Sequence, residues 1–264
     1  FEWIATAAFG LEGVVASELA RLGLDAKAEN GGARFFGTFE DAFRANLHAR
    51  CADRILLVMG RFEARSFEEL FEGVRALPWE DFIGERTRFP VNGKCARSQL
   101  MSVRDCQSIT KKAIVERLRG RYRTDWFVED AETVSIDVAL HGDIAQLTLD
   151  ASGTALNRRG YRTWNGEAPL RETLAAALVL QSGWHPWQPL ADPCCGTGTV
   201  LIEAAFIATS RAPGLTRRFA MEAWPVVNHD YEKIEEIRRE ARLKFEEGLK
   251  RPINISGSDI NPEA

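Results

Sequence analysis

Asp192-Pro193-Cys194-Cys195-Gly196-Thr197-Gly198-Thr199 decides how this chain is read. Leu190-Ala191-Asp192 has the character of a strand end and residues 200–209 that of a helix, so the glycines fall on a strand-to-helix turn. Glycine there lets the backbone approach a ligand, and ligands of open α/β sheets bind beyond the carboxyl ends of the strands. Two familiar loops are excluded. No lysine follows Gly198, as a P-loop requires, and Leu201 stands where a dinucleotide fingerprint has its third glycine. Taken alone, Gly-x-Gly is equally a structural turn. A second feature adds to it. Residues 253–257 read as the next strand, and Asp259 follows, placed to accept hydrogen bonds from ribose hydroxyls. Its competing reading is a turn or capping aspartate. In a generic unit the acidic residue comes ~20 positions on; here residues 211–252 are inserted before it.

Composition bounds the rest. With 264 residues, 45% hydrophobic and 27% charged, the chain suits a globular protein of one large domain or two to three small ones. No apolar run approaches the roughly 18 residues of a membrane helix. The start, Phe1-Glu2-Trp3-Ile4-Ala5-Thr6, lacks the basic and apolar regions of a signal peptide, so a cytoplasmic location is expected. Five cysteines, none spaced Cys-x-x-Cys, and four scattered histidines fit neither a disulfide framework nor a metal site.

Upstream, three regions separate. In residues 1–61 the pattern predicts a strand at 3–7, a helix at 11–22, a strand at 33–37, a helix at 38–50 and a strand at 55–59. A ferredoxin-like module fits that β-α-β-α-β order. In residues 62–152 a helix is expected at 66–76, with Ser66 as N-cap and Glu69 as its capping-box partner. Strands are expected at 88–91, 134–138 and 144–150, and a helix at 108–118 with Lys111, Lys112 and Arg117 on its wet side. Residues 153–264 add helices at 169–182 and 230–250, the latter with Ile234, Ile237, Ala241, Phe245 and Leu249 as its buried stripe. The fold class is α/β, with an α+β N-terminal half.

Charge is segregated. Net charge is −4, yet residues 94–123 hold nine basic and two acidic side chains, +7, leaving −11 elsewhere. Lys94, Arg97, Arg104, Lys111, Lys112, Arg119 and Arg121 are the candidate phosphate contacts. A solvated helix face explains the same run equally well.

Three stretches together give a resemblance: Leu156-Asn157-Arg158-Arg159-Gly160-Tyr161-Arg162; Ala168-Pro169-Leu170-Arg171-Glu172-Thr173-Leu174-Ala175; and the glycine loop continued by Glu203-Ala204-Ala205. They resemble the bacterial THUMP-domain 23S rRNA guanine-N2 methyltransferases. Gly257-Ser258-Asp259-Ile260 resembles that family's ribose-binding strand end, and Ala212-Pro213-Gly214, Phe219 and Trp224 its inserted segment. The resemblance implies a ferredoxin-like module and a THUMP domain that hold structured RNA, ribosomal or transfer, followed by the N-terminal part of a Rossmann-like domain that binds S-adenosylmethionine. It assigns Asp192, Cys194, Gly196, Thr197 and Gly198 to the methionine end of the cofactor and Asp259 to its ribose. Pro169, Leu170 and Thr173 become a pocket wall or a plain helix start; Arg159 and Tyr161 hold the linker by packing or touch RNA. The family transfers methyl with an Asn/Asp-Pro-Pro-Tyr/Phe loop, and no such tetrapeptide occurs here. Asn261-Pro262-Glu263-Ala264 reads instead as the start of a helix, so no methyl transfer is expected from these residues alone. The alternatives are a non-catalytic RNA-binding module with a vestigial fold, and a tRNA enzyme.

Overall fold

A computed structural model describes residues 1–124, 126–162 and 169–261. Ala168 of the quoted motif, and Pro262, Glu263 and Ala264, lie outside the described residues. The elements run β1 (Glu2–Ala7), α1 (Glu12–Arg21), β2 (Lys27–Glu29), β3 (Gly32–Phe36), α2 (Phe39–His48), β4 (Ala52–Glu63), α3 (Phe67–Arg75), β5 (Val91–Ala96), α4 (Val103–Tyr122), β6 (Ile136–His141), β7 (Ile144–Asp150), α5 (Glu172–Gln181), β8 (Leu190–Asp192), α6 (Thr199–Ala208), α7 (Tyr231–Gly248) and β9 (Ile255–Gly257). They group into two compact units that do not follow chain order.

The first unit holds Phe1–Trp3, Leu56–Gly153 and Phe219–Tyr231. Its strands are ordered β4-β7-β6-β5, antiparallel except for parallel β5 and β6. Alternation buries Ile136, Val138 and Leu140 on one face of β6. Ser66 caps α3 with Glu69 closing the box, so that helix starts where the sequence puts it. Helix α4 starts earlier than its apolar spacing suggests, because Ser102 caps it through the Asp105 N–H. The expected strand at 88–91 is displaced to β5; Arg88 makes only an isolated bridge to Thr133. Trp224, from the inserted segment, is completely buried and lies parallel to the equally buried Trp3, ring centres 6.4 Å apart.

The second unit holds Ile4–Ile55, Thr154–Arg218 and Glu232–Ala264. Its N-terminal part has strand order β2-β3-β1-β4 and the element order β-α-β-β-α-β. That is the full ferredoxin-like order, one strand more than the sequence pattern gives. Strand β2, Lys-Ala-Glu, is exposed throughout and has no apolar alternation; pairing with β3 defines it. Further on, β8 and β9 pair in parallel, Leu190 against Ile255 and Asp192 against Gly257. Both strands therefore end side by side, and the chain leaves both at the same edge. Helix α7 buries Ile234, Ile237 and Ala241 as expected, whereas Leu249 lies past the helix end and is 60% exposed.

Candidate functional site

Beyond those two strand ends lies the candidate site. The Ser258 N–H donates to the Asp192 carbonyl at 3.0 Å and the Cys195 N–H to the Ser258 carbonyl at 3.0 Å, joining the two loops. The Asp259 carboxylate then accepts the Gly196 N–H at 2.8 Å with one oxygen and the Asn261 N–H at 2.9 Å with the other. These N–H groups, Asn261 first and then Gly196, hold the Asp259 carboxyl below its usual range, so it is a carboxylate at neutral pH. Each oxygen still has acceptor capacity for a ligand hydroxyl.

The glycines have distinct reasons. Gly196 and Gly198 sit at φ +51° and +74°, and a side chain added to either would meet nothing within 4 Å. The left-handed turn requires them, and the space they face is open to a ligand. Gly257 is a packing glycine: a Cβ there would lie 2.3 Å from Leu201 and 3.1 Å from Cys195. Asp192 accepts the Cys194 N–H at 3.1 Å and shapes the turn from inside, while Cys194 itself is exposed.

Arg162 completes the loop's support. Its guanidinium pairs with Glu172 at 3.0 Å and donates to Thr199 at 3.0 Å, Thr197 at 3.3 Å and the Leu170 carbonyl at 3.3 Å. No role attaches to Arg162 in the sequence, since its partners are eight to thirty-seven positions away. Pro169 and Leu170 line a cleft of about 500 Å³ with Asn157, Arg158 and Arg162, so the structure brings them beside the loop's brace. Thr173 is turned elsewhere: its hydroxyl donates to Asp53 at 3.3 Å.

Arg159 is buried and used internally. It pairs with Glu203 on α6 at 3.2 Å and donates to the Leu156 carbonyl at 2.6 Å and to the Arg50 carbonyl. Burial pushes the Glu203 carboxyl up, and Arg159 opposes that shift. The Tyr161 ring meets Phe206 edge-on at 5.6 Å. Both residues thus pack the linker.

In the first unit, Lys94, Arg97, Arg104, Lys112, Arg119 and Arg121 are exposed. Lys111 differs: its ammonium reaches the Phe89 carbonyl at 3.0 Å and Glu129 at 2.6 Å, over the Phe89 ring. Arg117 is held by both oxygens of Glu80, at 2.6 and 2.9 Å. Helical spacing puts Arg104, Lys112 and Arg119 on one side of α4.

A glycine loop and a carboxylate at the ends of adjacent parallel strands define a Rossmann-type nucleoside-binding domain. Family models match three successive stretches: the RlmL ferredoxin-like domain over residues 2–56, the THUMP domain over 64–150 and the RMKL-like methyltransferase domain over 159–264. The chain is 45% identical over 262 residues to YpsC of Bacillus subtilis, provisionally named an RNA methyltransferase, covering 98% of this chain and 66% of YpsC. It is 36% identical over 266 residues to the ribosomal RNA large subunit methyltransferase K/L of Aeromonas salmonicida, covering 99% of this chain and 36% of that protein. The crystal structure of SMU.472, provisionally named a methyltransferase and complexed with SAH, matches with a TM-score of 0.92 at 42% identity, covering 100% of this chain and 69% of that one. The chain belongs to the RMKL-like family of THUMP-domain methyltransferases. It spans 66% and 36% of the lengths of the two named relatives. Among the described residues, no helix is long and apolar enough to cross a membrane.

Proposed function

We propose that the protein is an S-adenosylmethionine-dependent RNA methyltransferase acting on N2 of a guanine in 23S rRNA, a reaction of the cytoplasm. The Asp259–Gly196 bond carries this reading: it sets a ribose-accepting carboxylate against a glycine turn whose outer side is open. S-adenosylmethionine fits that arrangement, with Asp259 accepting from its ribose hydroxyls and the loop of Asp192, Cys194, Gly196, Thr197 and Gly198 running beside its methionine end. When bound, it supplies a methyl group already activated by the sulfonium. The protein's contribution is alignment of that methyl with the acceptor amine and exclusion of water. An exocyclic amine in paired RNA is hard to reach, so the target base leaves its stack to enter the site.

In this reading residues 1–61 form the ferredoxin-like module, 62–152 the THUMP domain and 153–264 part of the methyltransferase domain. The exposed cations of α4, with Lys94, Arg97 and Arg121, contact RNA phosphates; Lys111 serves by holding α4 in place. The name of the Aeromonas relative favours ribosomal RNA. Incubating the full-length protein with labelled S-adenosylmethionine and unmodified 23S rRNA, then digesting to nucleosides, tests this. Label in N2-methylguanosine supports it. Label found only in transfer RNA moves the substrate, and calorimetry showing no cofactor binding leaves an RNA-binding module with a vestigial fold.

A further inference from the structure

The cleft beside the cofactor loop has a charge balance that its own contacts leave unresolved. Asn157, Arg158, Arg159, Gly160 and Arg162 line one flank, and Pro169, Leu170, Arg171 and Glu172 the other. Two of its arginines are neutralised: Arg159 by Glu203, and Arg162 by Glu172. Arg158 is exposed, and its guanidinium has no hydrogen-bond or ion-pair partner among the described residues; nor has the Asn157 amide. Arg171, with its side chain 59% exposed, reaches only Asp53, at 4.0 Å, the outer limit of an ion pair. Arg158 and Arg171 therefore both line a cavity of about 500 Å³ in which, among the described residues, the paired Glu172 is the acidic side chain.

We propose that this cleft is a phosphate site, in which Arg158 and Arg171 grip one backbone phosphodiester of the RNA strand that delivers the target nucleotide. The inference rests on the methyltransferase reading above and deepens it. Two guanidiniums at one cleft suit a phosphodiester, whose single charge is shared by two non-bridging oxygens, and phosphate contacts of this kind fix register without reading sequence. Arg162 is a wall of the cleft and the brace of the glycine loop at once, so a phosphate held here is positioned relative to the cofactor. The cofactor's own carboxylate is the other candidate anion, and the two are separable by experiment.

The test is salt-dependent binding of unmodified 23S rRNA fragments to full-length protein, wild type against Arg158→Gln/Arg171→Gln, with SAH titrated in parallel. Loss of two phosphate contacts should flatten the slope of log affinity against log salt by about 1.4 to 1.8, with SAH affinity and melting temperature unchanged. Arg158→Lys/Arg171→Lys should restore most of the slope. An unaltered slope in the glutamine pair overturns the phosphate site while leaving the methyltransferase reading intact. Weaker SAH binding with an unaltered RNA slope assigns the cleft to the cofactor carboxylate and also overturns it. Failure of the wild-type protein to bind RNA removes both readings.

Discussion

The Asp259 carboxylate accepts the Gly196 N–H at 2.8 Å, across sixty-three positions of sequence. That bond closes the glycine loop and, in the reading proposed above, leaves a charged acceptor for the cofactor's ribose. Asp259→Ala should weaken S-adenosylmethionine about ten- to a hundredfold through lost charge-assisted bonds. Asp259→Asn, which keeps one carbonyl oxygen, should lie between. Calorimetry on full-length protein measures both, and equal affinities across the three proteins would take Asp259 out of the site.

Arg162 braces the same loop through Thr197 and Thr199. Arg162→Ala removes both bonds and leaves Glu172 without its partner, a loss of about 1–3 kcal/mol. Cofactor affinity should fall, and Arg162→Lys should recover little, since an ammonium cannot reproduce the guanidinium fork. A lysine variant with wild-type affinity would show that charge alone suffices.

Arg104, Lys112 and Arg119 share one exposed side of α4. Changing all three to Ala should flatten the salt dependence of RNA binding by roughly 0.7–0.9 log units per lost phosphate contact, leaving SAH binding alone. Lys111→Ala should instead lower the melting temperature, because Lys111 ties α4 to Phe89 and Glu129. If Lys111→Ala reduced the RNA slope with no change in melting temperature, the division of labour on this helix would be wrong.

Arg159 and Glu203 form an ion pair whose side chains are 1% and 0% exposed. Arg159→Met leaves a buried carboxylate without its counter-charge and should cost about 3–5 kcal/mol. Glu203→Leu on top of it should return part of that loss. Urea unfolding of the two variants decides; a double variant no more stable than the single would mean that the bonds to the Leu156 and Arg50 carbonyls matter more than the charge.

Burial, helped by Arg50, Lys244 and Arg44, pushes the His48 imidazole down to about 4 from an ordinary 6.5. The unfolded chain therefore binds a proton between those values that the folded chain refuses. Stability is full above the ordinary value and declines as pH falls through this window, by about 2 kcal/mol at roughly pH 5. His48→Gln should remove that share of the decline. Comparing urea midpoints at neutral pH and near pH 5 shows whether wild type drops further than the variant; parallel drops would contradict it.

The sequence carries the site's outline because backbone geometry leaves residue-level marks: two left-handed glycines at 196 and 198, and a charged residue after a strand at 259. Helix α3 is legible for the same reason, its capping box lying within four residues. What escapes is set by distant partners. Arg158, Arg159 and Arg162 look alike in the chain, yet one is exposed, one buried against Glu203 and one bound to the glycine loop. Lys111 and Lys112 are neighbours, yet Lys111 is held by Glu129 and Phe89 while Lys112 lies exposed near the Phe71 ring. Strand β5 is hidden because Asn92-Gly93-Lys94 is polar and becomes a strand by pairing with β6.

The parallel stack of Trp3 on Trp224 joins the first residues of the chain to its last quarter, inside one core that also takes Phe82 edge-on at 5.3 Å. During synthesis, a ribosome that has released residues 56–153 has delivered every strand of that core but not the indole that fills it. The nascent unit waits, with a void the size of a tryptophan, until residues 219–231 emerge. A slowly translated message would prolong that interval, making this stretch the one where chaperones have most to shield.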